Sequence, residues 1–149
     1  AAAKSFQGLP CRMVELSPIR GIRCINDSKG TNVGASETAV RSVVTTGRLL
    51  LLAGGDSKGA DLTRWAQAVK QHCDRAYVYG RDRDRLQAAL GDQAIIVDTL
   101  DDAFDGALSR ASVGDVILFS PACASFDQFD NYQKRGDHFT QLVEAHRDV

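Results

Sequence analysis

The sequence predicts an α/β domain of Rossmann-like, three-layer form: a mostly parallel sheet of about six strands with helices on both faces. Three observations predict it. Short apolar runs alternate with helix-compatible stretches of about ten residues, the pattern of βαβ units with right-handed crossovers. Leu49-Leu50-Leu51-Leu52 is apolar without alternation, as a strand covered on both faces requires. The 149 residues, 44% of them hydrophobic, suffice for one core and are too few for two comfortable ones.

Residues 1–7 read as the tail of an Ala-rich helix or linker before the domain proper, which takes in residues 8–149. The missing initiator Met fits a truncated or processed end at Ala1. Gly8-Leu9-Pro10 breaks that helix, and Arg12-Met13-Val14-Glu15-Leu16 starts a strand-like alternation. Ser17-Pro18 with Gly21 supplies a turn into Ile22-Arg23-Cys24-Ile25, so the domain opens on a hairpin. Residues 33–45 have helical spacing, with Asn32 placed to cap the first turn. After the Leu49–Leu52 strand, Asp61 caps a helix over residues 62–73. Residues 76–79, 94–97 and 116–119 are strands, and 82–90 and 100–110 are helices. The charged run Arg81-Asp82-Arg83-Asp84-Arg85 reads as a solvated helix start. A last helical region extends from 126 to about 146, in two pieces around Gly136.

Composition excludes several classes. Eighteen basic against nineteen acidic residues leave a net charge of -1, without the electrostatic footprint of a nucleic-acid binder. Cys11, Cys24, Cys73 and Cys123 show no Cys-x-x-Cys spacing and no His at ligand distance, which predicts no metal site and no disulfide framework. Reduced thiols fit a cytoplasmic protein. No apolar stretch approaches the roughly 20 residues of a membrane span, and no signal segment opens the chain.

Function is predicted at three loops, each following an apolar strand: Asn26-Asp27-Ser28-Lys29-Gly30-Thr31-Asn32, Gly54-Gly55-Asp56-Ser57-Lys58-Gly59-Ala60-Asp61, and Ser120-Pro121-Ala122-Cys123-Ala124-Ser125-Phe126-Asp127-Gln128-Phe129. Carboxyl ends of parallel strands meet in one crevice, so hydroxyls, two lysines and helix-start amides can converge there on a carboxylate or phosphate. Gly54 to Gly59 has the outline of a phosphate loop, but Ala60 and Asp61 stand where that motif needs Lys and Ser or Thr. Lys58 is then either an ammonium at a helix entrance, suited to a carboxylate, or a bystander to a glycine turn. Asp27, Lys29 and Thr31 are either helix-start residues or ligand contacts, with Asp27 suited to ribose hydroxyls. Arg12, just past the Pro10 break, is either an ordinary exposed arginine or a contact to an interdomain ligand. Cys123 or Ser125 as a nucleophile would need His138 as its base, and no Gly-x-Ser-x-Gly elbow supports that reading.

Together and in this order, the loops resemble the C-terminal domain of the Mur ligases, in particular the D-glutamate-adding branch. The segments that carry the resemblance are Gly8-Leu9-Pro10-x-Arg12, Asp27-Ser28-Lys29-x-Thr31-Asn32, Gly54-Gly55-Asp56-x-Lys58, Ser120-Pro121-x-x-Ala124-Ser125-x-Asp127-Gln128-Phe129 and Arg135-Gly136. The resemblance implies an ATP- and magnesium-dependent enzyme that joins D-glutamate to UDP-MurNAc-L-alanine in peptidoglycan synthesis, through an acyl-phosphate and a tetrahedral intermediate. It implies that this domain supplies the amino-acid site and closes over the nucleotide. The phosphate loop, magnesium ligands and UDP-sugar site would lie in domains outside this chain, leaving it non-catalytic alone. Carried over residue by residue, Thr31, Lys58, Ser125, Phe126 and Tyr132 would hold D-glutamate. Arg12 and Asp27 would hold the ATP ribose, and Lys29 would act near the reacting groups. Tyr132 and Phe126 depart from the Phe and Leu common at these positions. An L-glutamate-adding relative and a stand-alone nucleotide or small-acid binding module are the alternatives.

Overall fold

The structure, a computed structural model, describes residues 12–125 and 129–147. The predicted leading segment 1–7, Cys11 and Phe126 lie outside the described residues. Six strands, β1 (Val14–Glu15), β2 (Arg23–Asn26), β3 (Leu49–Gly54), β4 (Arg75–Tyr79), β5 (Ala94–Ile96) and β6 (Val116–Phe119), form one sheet in the order β1-β2-β6-β3-β4-β5. Only β1 is antiparallel to its neighbour.

Five α-helices among the described residues cover the sheet: α1 (Val33–Ser42), α2 (Thr63–His72), α3 (Arg83–Leu90), α4 (Leu100–Arg110) and α5 (Tyr132–Arg147). Strand side chains alternate between faces, so Leu49 and Leu51 of β3 pack with α1, α2 and α3, while Leu50 and Leu52 pack with α4 and α5. All four leucines are buried, which is the reason the run shows no polar alternation. Trp65 of α2 is buried and donates from Nε1 to Ser36 Oγ of α1 (3.0 Å), whose hydroxyl donates to the Ser120 carbonyl (3.0 Å). A polar chain thus runs through the apolar layer to the end of β6.

The topology decides where function can sit. β6 lies between β2 and β3, and Asn26 and Leu52 both face Phe119 across the ladders. The three strands therefore end nearly level, and the three predicted loops leave from adjacent strand tips at the point where the strand order changes.

Several predicted boundaries shift. The first strand shrinks to two residues because Met13 takes a left-handed backbone (φ 47°). The hairpin is present, closed by Arg20 and Gly21, both at positive φ, with Ile19 and Ile22 exchanging backbone hydrogen bonds of 3.0 and 2.8 Å. α1 stops at Ser42, where Val43 turns extended (φ -72°, ψ 127°). Asn32 caps it as predicted, accepting from the Ala35 amide at 2.8 Å. Asp61 accepts from the Thr63 amide (2.9 Å) and hydroxyl (2.7 Å) but sits one residue before the α2 cap position, Leu62. The last helix starts at Tyr132 and passes unbroken through Gly136, because Phe139 and Val143 anchor it and the Gly136 carbonyl accepts from Asn26 Nδ2 at 2.9 Å. Tertiary packing here outweighs the low helix propensity of glycine.

Candidate functional site

The loop after β2 is built around Asp27. One of its carboxylate oxygens accepts from Ser120 Oγ (2.8 Å) and the other from the Met13 amide (3.2 Å). Burial pushes its carboxyl up to about 6, against the opposing pull of those two donors and of the Arg12 charge. Gly30 lies so close that a Cβ there would stand 2.5 Å from Asp27 Oδ2 and 2.7 Å from Ser120 Oγ. The Gly30 carbonyl accepts from the Ala122 amide (2.8 Å), tying this loop to the one after β6.

The loop after β3 turns at Gly55 (φ 126°), where a Cβ would lie 2.2 Å from the Ala124 carbonyl oxygen. That closeness lets Asp56 and Ala124 exchange backbone hydrogen bonds of 3.0 and 2.9 Å. Lys58 takes a left-handed backbone (φ 53°), its amide donating to Asp56 Oδ1 at 2.9 Å. Ala122 is likewise left-handed (φ 64°). Non-glycine residues in this region cost free energy, and two of them flank one cavity.

That cavity, about 440 Å³, is lined by Thr31, Lys58, Ser125 and Tyr132 together with Asp56 and Asn131. Four of the five predicted amino-acid contacts thus share one pocket. A smaller cavity of about 200 Å³ is lined by Arg12, Asp27 and Lys29, the two predicted nucleotide contacts and the predicted catalytic lysine. Lys29 Nζ, in the lining of the smaller cavity, lies 4.4 Å from the centroid of the ring of Tyr132, a residue of the larger one.

Three features were not legible as functional. Asp56 lines the larger pocket and is met by Arg81 at 3.8 Å. The charged run at 81–85 is no merely solvated face: Asp82 accepts from the Ser57 amide and hydroxyl (both 2.7 Å), and Arg85 donates to Ser57 Oγ (3.0 Å) and to the Ala60 carbonyl. These bonds hold Asp82 below the usual carboxylate range and brace the loop that carries Lys58. Arg135, fully buried, reaches the main chain of all three loops. Its spacing from Phe139 and Val143, at i, i+4 and i+8, was the available signal: a charge on the apolar stripe of a helix.

His138 meets Asp101 of α4 through Nε2, and its ring packs on Phe129. Cys24, Cys73 and Cys123 are buried free thiols, and burial pushes Cys24 and Cys73 up to about 12. Among the described residues no three His, Cys, Asp or Glu side chains converge as metal ligands, and no helix is long and apolar enough to cross a membrane.

The profile of the family described as "Mur ligase, glutamate ligase domain" matches residues 11–123. A UDP-N-acetylmuramoylalanine--D-glutamate ligase of Hydrogenovibrio crunogenus is 47% identical over 144 residues, 95% of this chain and 32% of its own length. The ligase of the same name from Haemophilus influenzae is 41% identical over 144 residues, 97% of this chain and 33% of its own. The chain therefore spans about a third of the length of the curated relatives it matches. Among solved structures, MurF ligase from Thermotoga maritima in complex with ADP superposes with a TM-score of 0.67 at 15% identity, over 95% of this chain and 32% of that one. E. coli FolC in complex with ADP gives a TM-score of 0.67 at 23% identity, over 95% of this chain and 33% of that one. These two likenesses concern the fold.

Proposed function

The chain belongs to the Mur ligase glutamate ligase domain family, and from that premise we propose that it is the amino-acid-binding domain of an ATP-dependent, amide-forming ligase that joins D-glutamate to UDP-MurNAc-L-alanine in peptidoglycan synthesis. The carrying observation is the common lining of one cavity by Lys58, Thr31, Ser125 and Tyr132. A dicarboxylic acid of glutamate size needs a cation and several hydroxyl or amide donors held a few ångströms apart, and this pocket offers that set. Lys58 neutralises one carboxylate while the Thr31 and Ser125 hydroxyls donate to the other, leaving the amine free to face its acceptor. Tyr132 walls the pocket and holds Lys29 beside it. Relatives 41 to 47% identical that carry the D-glutamate name favour this reading over an L-glutamate-adding relative or a stand-alone module.

The smaller cavity suits the ribose end of ATP: Arg12 supplies a cation, and Asp27 is an acceptor whose carboxyl already holds two donors. At about 200 Å³ it takes only part of a nucleotide. The described residues offer no acidic cluster to Mg2+. On this reading the triphosphate, its magnesium and the UDP-sugar are held by parts of the ligase outside this chain, which spans about a third of the length of its curated relatives, and the domain alone does not catalyse. ATP, when bound, supplies the phosphoryl group that activates the acceptor carboxyl. The reduced thiols fit action in the cytoplasm.

The test is Lys58→Ala in the whole ligase, with initial rates at varied D-glutamate. Losing one partner of a desolvated charge pair predicts a fall in kcat/KM for glutamate of about 2–4 kcal/mol, or about 30- to 1,000-fold. A loss smaller than about tenfold would reduce Lys58 to a turn residue.

A further inference from the structure

Arg135 is the one fully buried charged residue among the described residues. It sits in the first turn of α5, its amide donating to the Asn131 carbonyl at 3.2 Å. Its Nη2 donates to the Cys123 carbonyl (2.9 Å) and to the Ser28 carbonyl (3.4 Å), and Nη1 donates to the Gly54 carbonyl (3.4 Å). The Cys123 and Ser28 carbonyls belong to the loops after β6 and β2, and Gly54 is the last residue of β3, where the third loop begins. Each stands shortly before the residue that loop delivers to the pocket: Cys123 before Ser125, Ser28 before Thr31, Gly54 before Lys58. The Phe119 ring lies 5.9 Å from the guanidinium carbon. The start of α5 is fixed independently, since Ser28 Oγ donates to the Tyr132 carbonyl (2.6 Å) and Asn26 Nδ2 donates to both the Gly136 carbonyl (2.9 Å) and Thr140 Oγ1 (3.0 Å).

Burying a guanidinium carries a large desolvation penalty, which a core made only for stability would avoid with an apolar residue of similar volume. What arginine adds is a planar fork of donors in fixed geometry, able to hold several carbonyls at once. We infer that Arg135 is a positioning residue that sets the mutual spacing of Lys58, Thr31 and Ser125 by clamping the main chain of their three loops, without touching the amino acid. The inference rests on the glutamate reading of that pocket.

Arg135→Lys keeps the charge and one bond but loses the fork. In the whole ligase it is expected to raise KM for D-glutamate about tenfold or more, with KM for ATP changed less than about threefold and the melting temperature within a few degrees of wild type. Lys58→Ala, measured beside it, separates the two claims. If Lys58→Ala raises KM for glutamate and Arg135→Lys does not, the pocket stands and the clamp is refuted. If neither changes it, the pocket reading fails and the clamp with it. Equal rises in KM for glutamate and ATP, or an Arg135→Lys protein that does not fold, would make Arg135 a general core cross-link and overturn the assignment.

Discussion

Replacing Asp27 by Asn is expected to stabilise the fold at neutral and alkaline pH. Burial pushes the Asp27 carboxyl up to about 6, whereas an unfolded aspartate titrates near 3.8. The native state therefore holds this proton more tightly than the unfolded chain. Its contribution to stability is fully present below the unfolded value and is lost as pH rises through about 6. A separation of about two pH units corresponds to about 3 kcal/mol at high pH. Asn has the same shape: its oxygen still accepts from the Met13 amide, and its nitrogen donates to the Ser120 hydroxyl, which rotates to accept. The assay is guanidinium unfolding of the chain from about pH 4 to about pH 8, followed by the fluorescence of its single tryptophan, the buried Trp65. Other carboxylates held below their usual range, such as Asp61 and Asp82, give both proteins the opposite slope in acid and cancel in the difference. The Asn variant should gain little near pH ~4 and up to about 3 kcal/mol near pH ~8. A difference that does not vary with pH, or an Asn variant that is the weaker protein at pH ~8, would refute the reasoning.

Two further outcomes concern the backbone. Gly55→Ala forces an L side chain onto a φ of 126° with its Cβ against the Ala124 carbonyl, and should cost about 3 kcal/mol or more in thermal or denaturant unfolding; a loss under about 1 kcal/mol would mean the two loops part easily. Arg20→Asn places a residue tolerant of left-handed backbone in the exposed hairpin turn before Gly21, and should gain about 0.5 kcal/mol in the same assay. No gain would show that the Arg20 conformation carries little strain.

Much of the fold was legible because periodicity encodes it: the Leu49–Leu52 run, the helical spacing after each loop and the Asn32 cap are local signals. The length of β1 was not, since it depends on a left-handed Met13, and neither was the continuity of α5, since Gly136 is held by contacts distant in sequence. The loops carrying Thr31, Lys58 and Ser125 could be singled out because they follow strands, and strand tips meet in this class of sheet, whereas Tyr132, at the start of α5, was legible only through the family resemblance. No local pattern gives β6 its place between β2 and β3, the fact that brings the three loops together. The bracing of Ser57 by Asp82 was hidden for the same reason: it requires α3 to start beside a loop some twenty-five residues earlier. Arg135 left a trace, a cation in line with Phe139 and Val143, whose meaning needed the carbonyls it meets.

The paired backbone bonds between Asp56 and Ala124, with the bond from Ala122 to Gly30, stitch three chain segments into one piece before any ligand arrives. If the pocket takes the proposed dicarboxylate, its recognition draws on little fresh ordering of these segments, so discrimination between acids of different length falls to fit.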